Sequence, residues 1–351
     1  MKKIIAVAIA ALPMAAMADV TIYGKVAGGI ESDRGFDGVS NTRVSDYTSR
    51  IGFKGNEDLG NGLKAIWQLE SRFKVDGEQA GTGFATRQSF VGFQSNDLGT
   101  LRLGHLNYYG NDRMSDVDPL LATANAFVTP TGTRLKNAVR YDSPVFYGFN
   151  AAVMFGAGEN KAAEKSNIVN GVETAKLWEG SQDTWNIGLG YEYAGFVADY
   201  EYTGWLNQGE VAGEAKDGQN HRVQFGYNAN NLQVIAGYQM GKYIGEGLKH
   251  SYYGDAGLIP VDLGSEYKTR EATLTAAYTI GNWTPRMIYT KGWNIKANGV
   301  TQNDTGYQQY IAAVDYTLSK RTMLELSFAQ TNADNQDNDA RTISLGMEHK
   351  F

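Results

Sequence analysis

The chain has 351 residues, 42% of them hydrophobic and 20% charged, with a formal net charge of −6 and no cysteine. That balance argues against a nucleic-acid partner, and the missing thiols exclude disulfide and thiolate-metal chemistry. Forty-two Gly and 21 Tyr against six Pro point to a strand-rich fold, because aromatic rings suit pleated surfaces and Gly suits tight turns.

The first eighteen residues, MKKIIAVAIAALPMAAMA, place Lys2 and Lys3 ahead of an apolar stretch that ends in Ala16-Met17-Ala18. This is the pattern of a secretory signal peptide, 1–18, cleaved after Ala18. Its loss removes two lysines and takes the net charge from −6 to −8. The rest, 19–351, is expected to form one domain. No later apolar run approaches the roughly 18 residues of a transmembrane helix, so any crossing of a bilayer has to be made by strands.

Beyond the leader, apolar and polar residues alternate with a period of two. WNIGLGYEY places Trp185, Ile187, Leu189, Tyr191 and Tyr193 on one face and Asn186, Gly188, Gly190 and Glu192 on the other. FVADYEY, RVQFGY, LQVIAGYQM, ATLTAAYTI, IAAVDYTL and TMLELSF repeat the pattern. Such segments are strands with one wet face. Short connections at 58–62, 96–99, 143–148, 194–195, 228–231, 281–282 and 319–321 alternate with eight long polar ones. The long ones lie near 32–48, 74–84, 109–135, 157–183, 206–218, 242–265, 294–305 and 332–338. Fifteen connections join sixteen strands. An even strand number with short turns at one end and long loops at the other predicts an all-β, 16-stranded antiparallel transmembrane β-barrel, with periplasmic turns and extracellular loops. A secreted β-sandwich also alternates, but gives no reason for loop length to alternate as well.

ARTISLGMEHKF sets Ile343, Leu345, Met347, His349 and Phe351 on one face, which predicts a last strand that pairs with the first to close the wall. On 20–30 the outward residues are Val20, Ile22, Gly24, Val26, Gly28 and Ile30, small and smooth, as expected of a subunit contact.

The same parity sorts the charges. On the strands between 49 and 143 the polar face carries Arg50, Lys54, Lys64, Arg72, Arg102, Lys136 and Arg140, against Glu70 and Asp142. Arg87 shares the parity of Val91 and Phe93, which predicts a place at the rim or in a subunit contact. Between 184 and 331 the polar face is mostly acidic, with Glu192, Asp199, Glu201, Glu271, Asp315 and Glu325 against Arg222 and Arg286. Facing walls of opposite sign would set a transverse field across a water-filled lumen. The long connection 109–135 carries Asp112, Asp116 and Asp118 with Arg113 and Arg134, and an apolar middle of Leu120, Leu121, Phe127 and Val128. An exposed loop has little use for that middle, so the segment is predicted to fold inward as a constriction. Seven cations against two anions on the wall, and two against three on the loop, leave a net of +4 and a weak preference for anions.

Enzyme chemistry finds little support. His105, His221, His250 and His349 fall at no metal-ligand spacing and in no Ser-centred motif, and neither a metal nor a cofactor is implied. NADNQDNDA (332–340) lacks the Gly and Glu that a calcium loop needs. A barrel enzyme or adhesin and a substrate-specific channel remain as alternatives. A sugar channel would need an aromatic track, and the luminal parity offers few rings, Tyr23 and Phe90 among them.

DVTIYGKV after the leader, SRIGFKGNEDLGNGLKAIWQLE at 49–70, RQSFVGF at 87–93, YDSPVFYGF at 141–149, YTLSKRT at 316–322 and the final HKF resemble the trimeric general porins of β-proteobacteria, the neisserial type. The resemblance runs in order along the mature chain. It implies a homotrimer in the outer membrane of a Gram-negative bacterium, among outer-membrane lipid and lipopolysaccharide. It implies a third loop folded into each barrel and passive diffusion of ions and small hydrophilic solutes. It also implies that the terminal Phe351 is read by the barrel-assembly machinery.

Overall fold

The computed structural model describes residues 20–78, 83–115, 120–121, 134–158, 164–169, 172–178 and 183–351, with backbone only at 164–169 and 172–178. The wall begins with β1 (Thr21–Arg34). Next is β2, in two pieces, Ser40–Asp46 and Arg50–Gly60, both paired with β1. β3 is Leu63–Arg72, β4 Ser89–Ser95, β5 Gly99–Asn107, β6 Arg134–Asp142, β7 Phe149–Gly156 and β8 Thr184–Tyr193. β9 is Phe196–Val211, β10 Glu214–Ala229, β11 Leu232–Ile244 and β12 Glu266–Tyr278. β13 is Trp283–Gly292, β14 Tyr307–Ser319, β15 Thr322–Ala333 and β16 Ala340–Lys350. Every neighbour pairs antiparallel, and β1 pairs with β16 from Lys25↔Lys350 to Arg34↔Arg341. The sixteen-stranded sheet is closed, and all seven short turns fall where the alternation predicts them.

Closure satisfies each strand's backbone groups on both sides, which hydrocarbon would not do. The outward face is accordingly apolar: Met287 is 70% exposed and Phe225 63%. Outward rings gather in two belts. Phe149–Tyr191, Phe196–Tyr227 and Trp283–Tyr316 lie at the short-turn end, and Phe155–Trp185, Tyr238–Trp293 and Tyr289–Tyr310 lie towards the long loops. Amphipathic rings favour the two membrane–water boundaries, so the belts mark the span.

Two of the predicted long loops are mostly strand. β9 and β10 run on to a turn at Ala212-Gly213, both with positive φ, and β1 and β2 are joined by 35–39. Above the membrane both faces of a strand meet water, so the period-two signal fades while the ladder continues.

The abundance of Tyr and Gly has a common cause. A Cβ on Gly52 would strike the ring of Tyr23; on Gly188, the ring of Tyr109; on Gly29 or Gly346, the ring of Tyr47; on Gly292, the ring of Tyr307. Bare glycines on the luminal face form slots for aromatic rings. At β2 the chain leaves the ladder for Tyr47–Ser49, and the Ser49 hydroxyl takes over: it accepts from Ala27 N (2.9 Å) and donates to Ala27 O (3.0 Å). That break turns Tyr47 into the barrel.

Candidate functional site

The third loop leaves β5 through the short helix α1 (Tyr109–Arg113) and crosses the lumen. Its fixings are carboxylates on the opposite wall. Gly110 N donates to Glu201 Oε1 (2.6 Å), Tyr109 N to Asn186 Oδ1 (2.9 Å) and the Tyr109 hydroxyl to Asp199 Oδ1 (2.8 Å). Arg222 donates to Met114 O (2.8 Å) and Gln224 to Arg113 O (3.2 Å). Farther round, Leu121 N donates to both Glu325 oxygens (3.0 and 3.1 Å). Leu120 packs on Ile235, Ile288, Ile311 and Ala329, and Leu121 packs on Ala27 and Tyr47. The loop therefore folds inward, as its apolar middle predicts. Asp116, Asp118, Phe127 and Val128 lie outside the described residues, as do 1–18.

This corrects the expected field across water. Glu201 and Glu325 are 0% and 1% exposed, and Asp199, Glu271 and Asp315 are buried too. A buried carboxylate needs donors, and the loop's backbone N–H groups supply them. Glu271 accepts instead from Tyr307 (2.6 Å), beneath the sixth loop, where Leu248, Tyr252, Tyr253 and Leu258 pack on Trp205, Tyr243 and Tyr267. Asp199, Glu201 and Glu325 thus hold the third loop and Glu271 lies beneath the sixth, whereas Asp315 pairs with Arg286 (3.1 Å) on the wall and Glu192 stays exposed, 3.6 Å from Arg113.

Among the described residues an open space lies between the third loop and β16, β1, β2 and β3. Lys25, Arg50, Lys54, Arg87 and Lys350 line it with Glu70 and Glu348, five cations against two anions. Glu70 accepts from Tyr23 (3.1 Å) and pairs with Arg87 and Arg50 (3.6 Å), while Glu348 pairs with Lys25 (2.8 Å) and Lys350 (2.9 Å). Lys54 stands over the Tyr23 ring, 5.1 Å from its centre. Arg87, Glu70, Arg50 and Arg72 all lie within electrostatic reach of the Arg134 guanidinium.

Of the cations singled out from sequence, Arg50 and Lys54 line this opening. Arg72 stands opposite Arg50 in the ladder and pairs with Asp46 (3.4 Å). Lys64 is exposed beside the short turn at 61–62, opposite Asp58. Arg102 and Arg140 form a neutral quartet with Asp142 and Asp112: Arg102–Asp142 2.6 Å, Arg140–Asp142 2.7 Å, Arg140–Asp112 2.7 Å. Asp112 is thereby tied to the wall.

Lys136 leaves the expected alternation. Asn137 takes φ 51°, and a bulge between Gly104/Leu106 and Ala138/Leu135 inserts one residue in β6. Leu135, not Lys136, then packs on the buried Leu106, and Lys136 is exposed on the other face. Arg87 is a second correction. β4 starts only at Ser89, so the strand's parity does not reach Arg87, and its side chain turns inward to Glu70. Lys25 and Lys350 are not among the cations singled out from sequence, although the same parity places both inward on β1 and β16.

The chain has counterparts among known proteins. The profile of the Gram-negative porin family matches residues 6–336. The major outer membrane protein P.IB of Neisseria sicca is 35% identical, over the whole of this chain and 99% of its own length. The major outer membrane protein P.IA of Neisseria meningitidis serogroup C is 32% identical over the whole of both chains. Among solved structures, the anion-selective porin from Comamonas acidovorans superposes with a TM-score of 0.74 at 21% identity, over 95% of this chain and 100% of its own. The chain belongs to the Gram-negative porin family and forms a passive diffusion channel in the bacterial outer membrane.

Proposed function

We propose that this channel passes ions and small hydrophilic solutes with a weak preference for anions. The observation that carries the reading is the net of +3 on the side chains around the opening, beside acidic groups that the loops bury. Charges at a constriction act on a passing ion directly, whereas the negative outer loops are screened beyond about 8 Å at physiological salt. That an anion-selective porin shares the fold is in keeping with this. The test is the zero-current potential of the protein in a planar bilayer across a KCl gradient, expected on the anion side; a cation-side potential refutes the preference. A substrate-specific channel would show saturable, sugar-blocked conductance. A barrel enzyme would hydrolyse ester or peptide substrates in a pore-forming sample.

We further propose a homotrimer, with β1 in the subunit contact. The expected smooth strip is partly filled from within: the Phe351 ring lies over Gly24 and the Val75 side chain over Gly28. Ile22 and Val26 remain open, 59% and 40% exposed. Tryptophan is tolerated against lipid but not where two walls approach closely. Ile22→Trp with Val26→Trp is therefore expected to yield folded monomers, and intact trimers on a native gel would count against this contact.

Residues 1–18 serve, on this reading, as the leader removed after Ala18, and Phe351 as the signal for the barrel-assembly machinery. Phe351 exchanges two backbone hydrogen bonds with Gly24, both 3.1 Å, at the seam of the barrel. Removing it costs these and an apolar contact of about 1.5–3 kcal/mol. Outer-membrane yield is expected to fall severalfold, with unchanged conductance in the molecules that assemble. Wild-type yield would refute the role.

A further inference from the structure

The largest buried apolar cluster among the described residues lies inside the barrel, under the sixth loop, and takes no part in the path along Arg50 and Lys54. The loop leaves β11 as a 3₁₀ turn (Gly245–His250) and a short helix α2 (Tyr252–Asp255), then returns to β12. Its neck is tied: Gly245 N donates to Ser265 O (2.9 Å) and Ile244 N to Gln208 Oε1 (2.8 Å). A loop with its ends joined in this way is a compact body that packs through its own side chains. Leu248, Tyr252, Tyr253 and Leu258 are that body's buried face. The wall residues they meet are all luminal, from Trp205 on β9 through Tyr243, Tyr267 and Tyr307 to Ala333 on β15. The Tyr253 hydroxyl donates to Trp293 O (2.5 Å) at the end of β13, and the Tyr252 hydroxyl reaches Thr331 (3.5 Å) on β15. His250 stacks on Trp205, with 5.0 Å between ring centres and 8° between planes. Towards β1 the body is closed off by Phe36 of the first loop, and Asn335 donates to Leu258 O (2.5 Å).

This seat lies above that of the third loop. Leu120 rests on Ile311 and Ala329, whereas the sixth loop rests on Tyr307 and Ala333, four residues nearer the outside on the same strands. At about 3.3 Å per residue and a tilt near 40°, the two seats are roughly 10 Å apart. Between them the wall turns polar, yet Gln239, Thr290 and Gln309 are 0% exposed and Glu271 1%. Inward polar residues of a sixteen-stranded barrel belong beside water. Here one loop covers them from above and another from below, so this side of the lumen is shut twice.

We propose that the sixth loop is a second inserted loop, an outer stop that closes the β9–β15 side of the channel and leaves solutes the strip along β16, β1, β2 and β3. The proposal deepens the channel reading, on which it rests: Leu248, Tyr252, Tyr253 and Leu258 become the residues that set how large a solute enters from outside. The chain has no cysteine, so a single introduced thiol reports access. Thr290→Cys places one between the two loops, and Lys54→Cys places one beside the open strip. A charged, water-soluble methanethiosulfonate is expected to modify Lys54→Cys at least tenfold faster than Thr290→Cys. Replacing 247–263 by two glycines, which leaves the tied neck in place, should remove that difference. Leu248→Asn with Leu258→Asn keeps the loop's length and should reduce it. In a planar bilayer, poly(ethylene glycol) of graded mass added on the loop side should enter the shortened channel at severalfold greater mass than the wild type. The cut-off from the short-turn side, set by the third loop, should not move. Rapid modification of Thr290→Cys with the loop intact, or an unchanged loop-side cut-off in the shortened channel, would overturn the stop. Conductance of the same samples separates the two readings. Conducting pores with a readily modified Thr290→Cys overturn the sixth loop's role alone, whereas absence of pores overturns the channel and that role together.

Discussion

Reversing Arg50 and Lys54 to glutamate is expected to turn the channel from anion- to cation-preferring. Each reversal changes the local charge by −2, so the pair takes the lining from +3 to −1. Both side chains border the open path, while Arg87 stays engaged with Glu70. A perfectly selective pore yields about 59 mV per tenfold gradient of a univalent salt, and the zero-current potential should move by a sizeable part of that and change sign. Lys64→Glu, at the short-turn end and exposed, should move it little because mobile ions screen it. Arg102→Glu would set a third carboxylate beside Asp142 and Asp112, so its main effect should be on stability. An unchanged sign in the double variant, or a larger shift from Lys64→Glu, would move the selectivity elsewhere.

The contrast among these cations shows what the sequence could convey. The barrel was legible because a wall between lipid and water imposes one rule at every position, and seven turns and sixteen strands obey it. Leu120 and Leu121 were legible for the same reason, as apolar residues in a segment that should have none. Lys136 was not: a single left-handed Asn137 reverses the faces, and asparagine adopts that conformation at little cost, so nothing in the alternation marks it. Arg87 lay just outside the strand whose parity was applied to it.

The acidic wall was misread at a different level. Parity correctly turned Asp199, Glu201 and Glu325 inward, but inward is not the same as wet. Whether a luminal carboxylate meets water depends on a loop distant in sequence: Gly110 lies 91 residues from Glu201, and Leu121 lies 204 from Glu325. One local sign was present. Gly188 and Gly190 sit on the luminal face of WNIGLGYEY, and a glycine inside a strand often marks close approach by another part of the chain. Here Tyr109 fills that place, its hydroxyl reaching Asn150 (3.0 Å) as well as Asp199.

If these carboxylates hold the third loop, replacing Glu201 and Glu325 by leucine should release it. Glu201 accepts from Gly110 N and Asn186 (2.8 Å), and Glu325 accepts from Leu121 N. Without them the buried donors lose their partners, at about 1–3 kcal/mol each. Among the described residues the loop's other fixings are the bonds to Asn186, Asp199, Arg222 and Gln224 and the Leu120 and Leu121 contacts, so losing both carboxylates should lower its local stability. The wall's own ladder bonds are untouched, and the barrel should still resist unfolding in detergent. Single-channel conductance is therefore expected to rise severalfold, with flicker as the loop moves in and out, and the anion preference should weaken as the path widens away from Arg50 and Lys54. Glu201→Gln with Glu325→Gln keeps an acceptor at both positions and should stay close to wild type. Equal conductance in the leucine and glutamine variants would mean that Leu120 and its apolar seat, and not the carboxylates, hold the constriction.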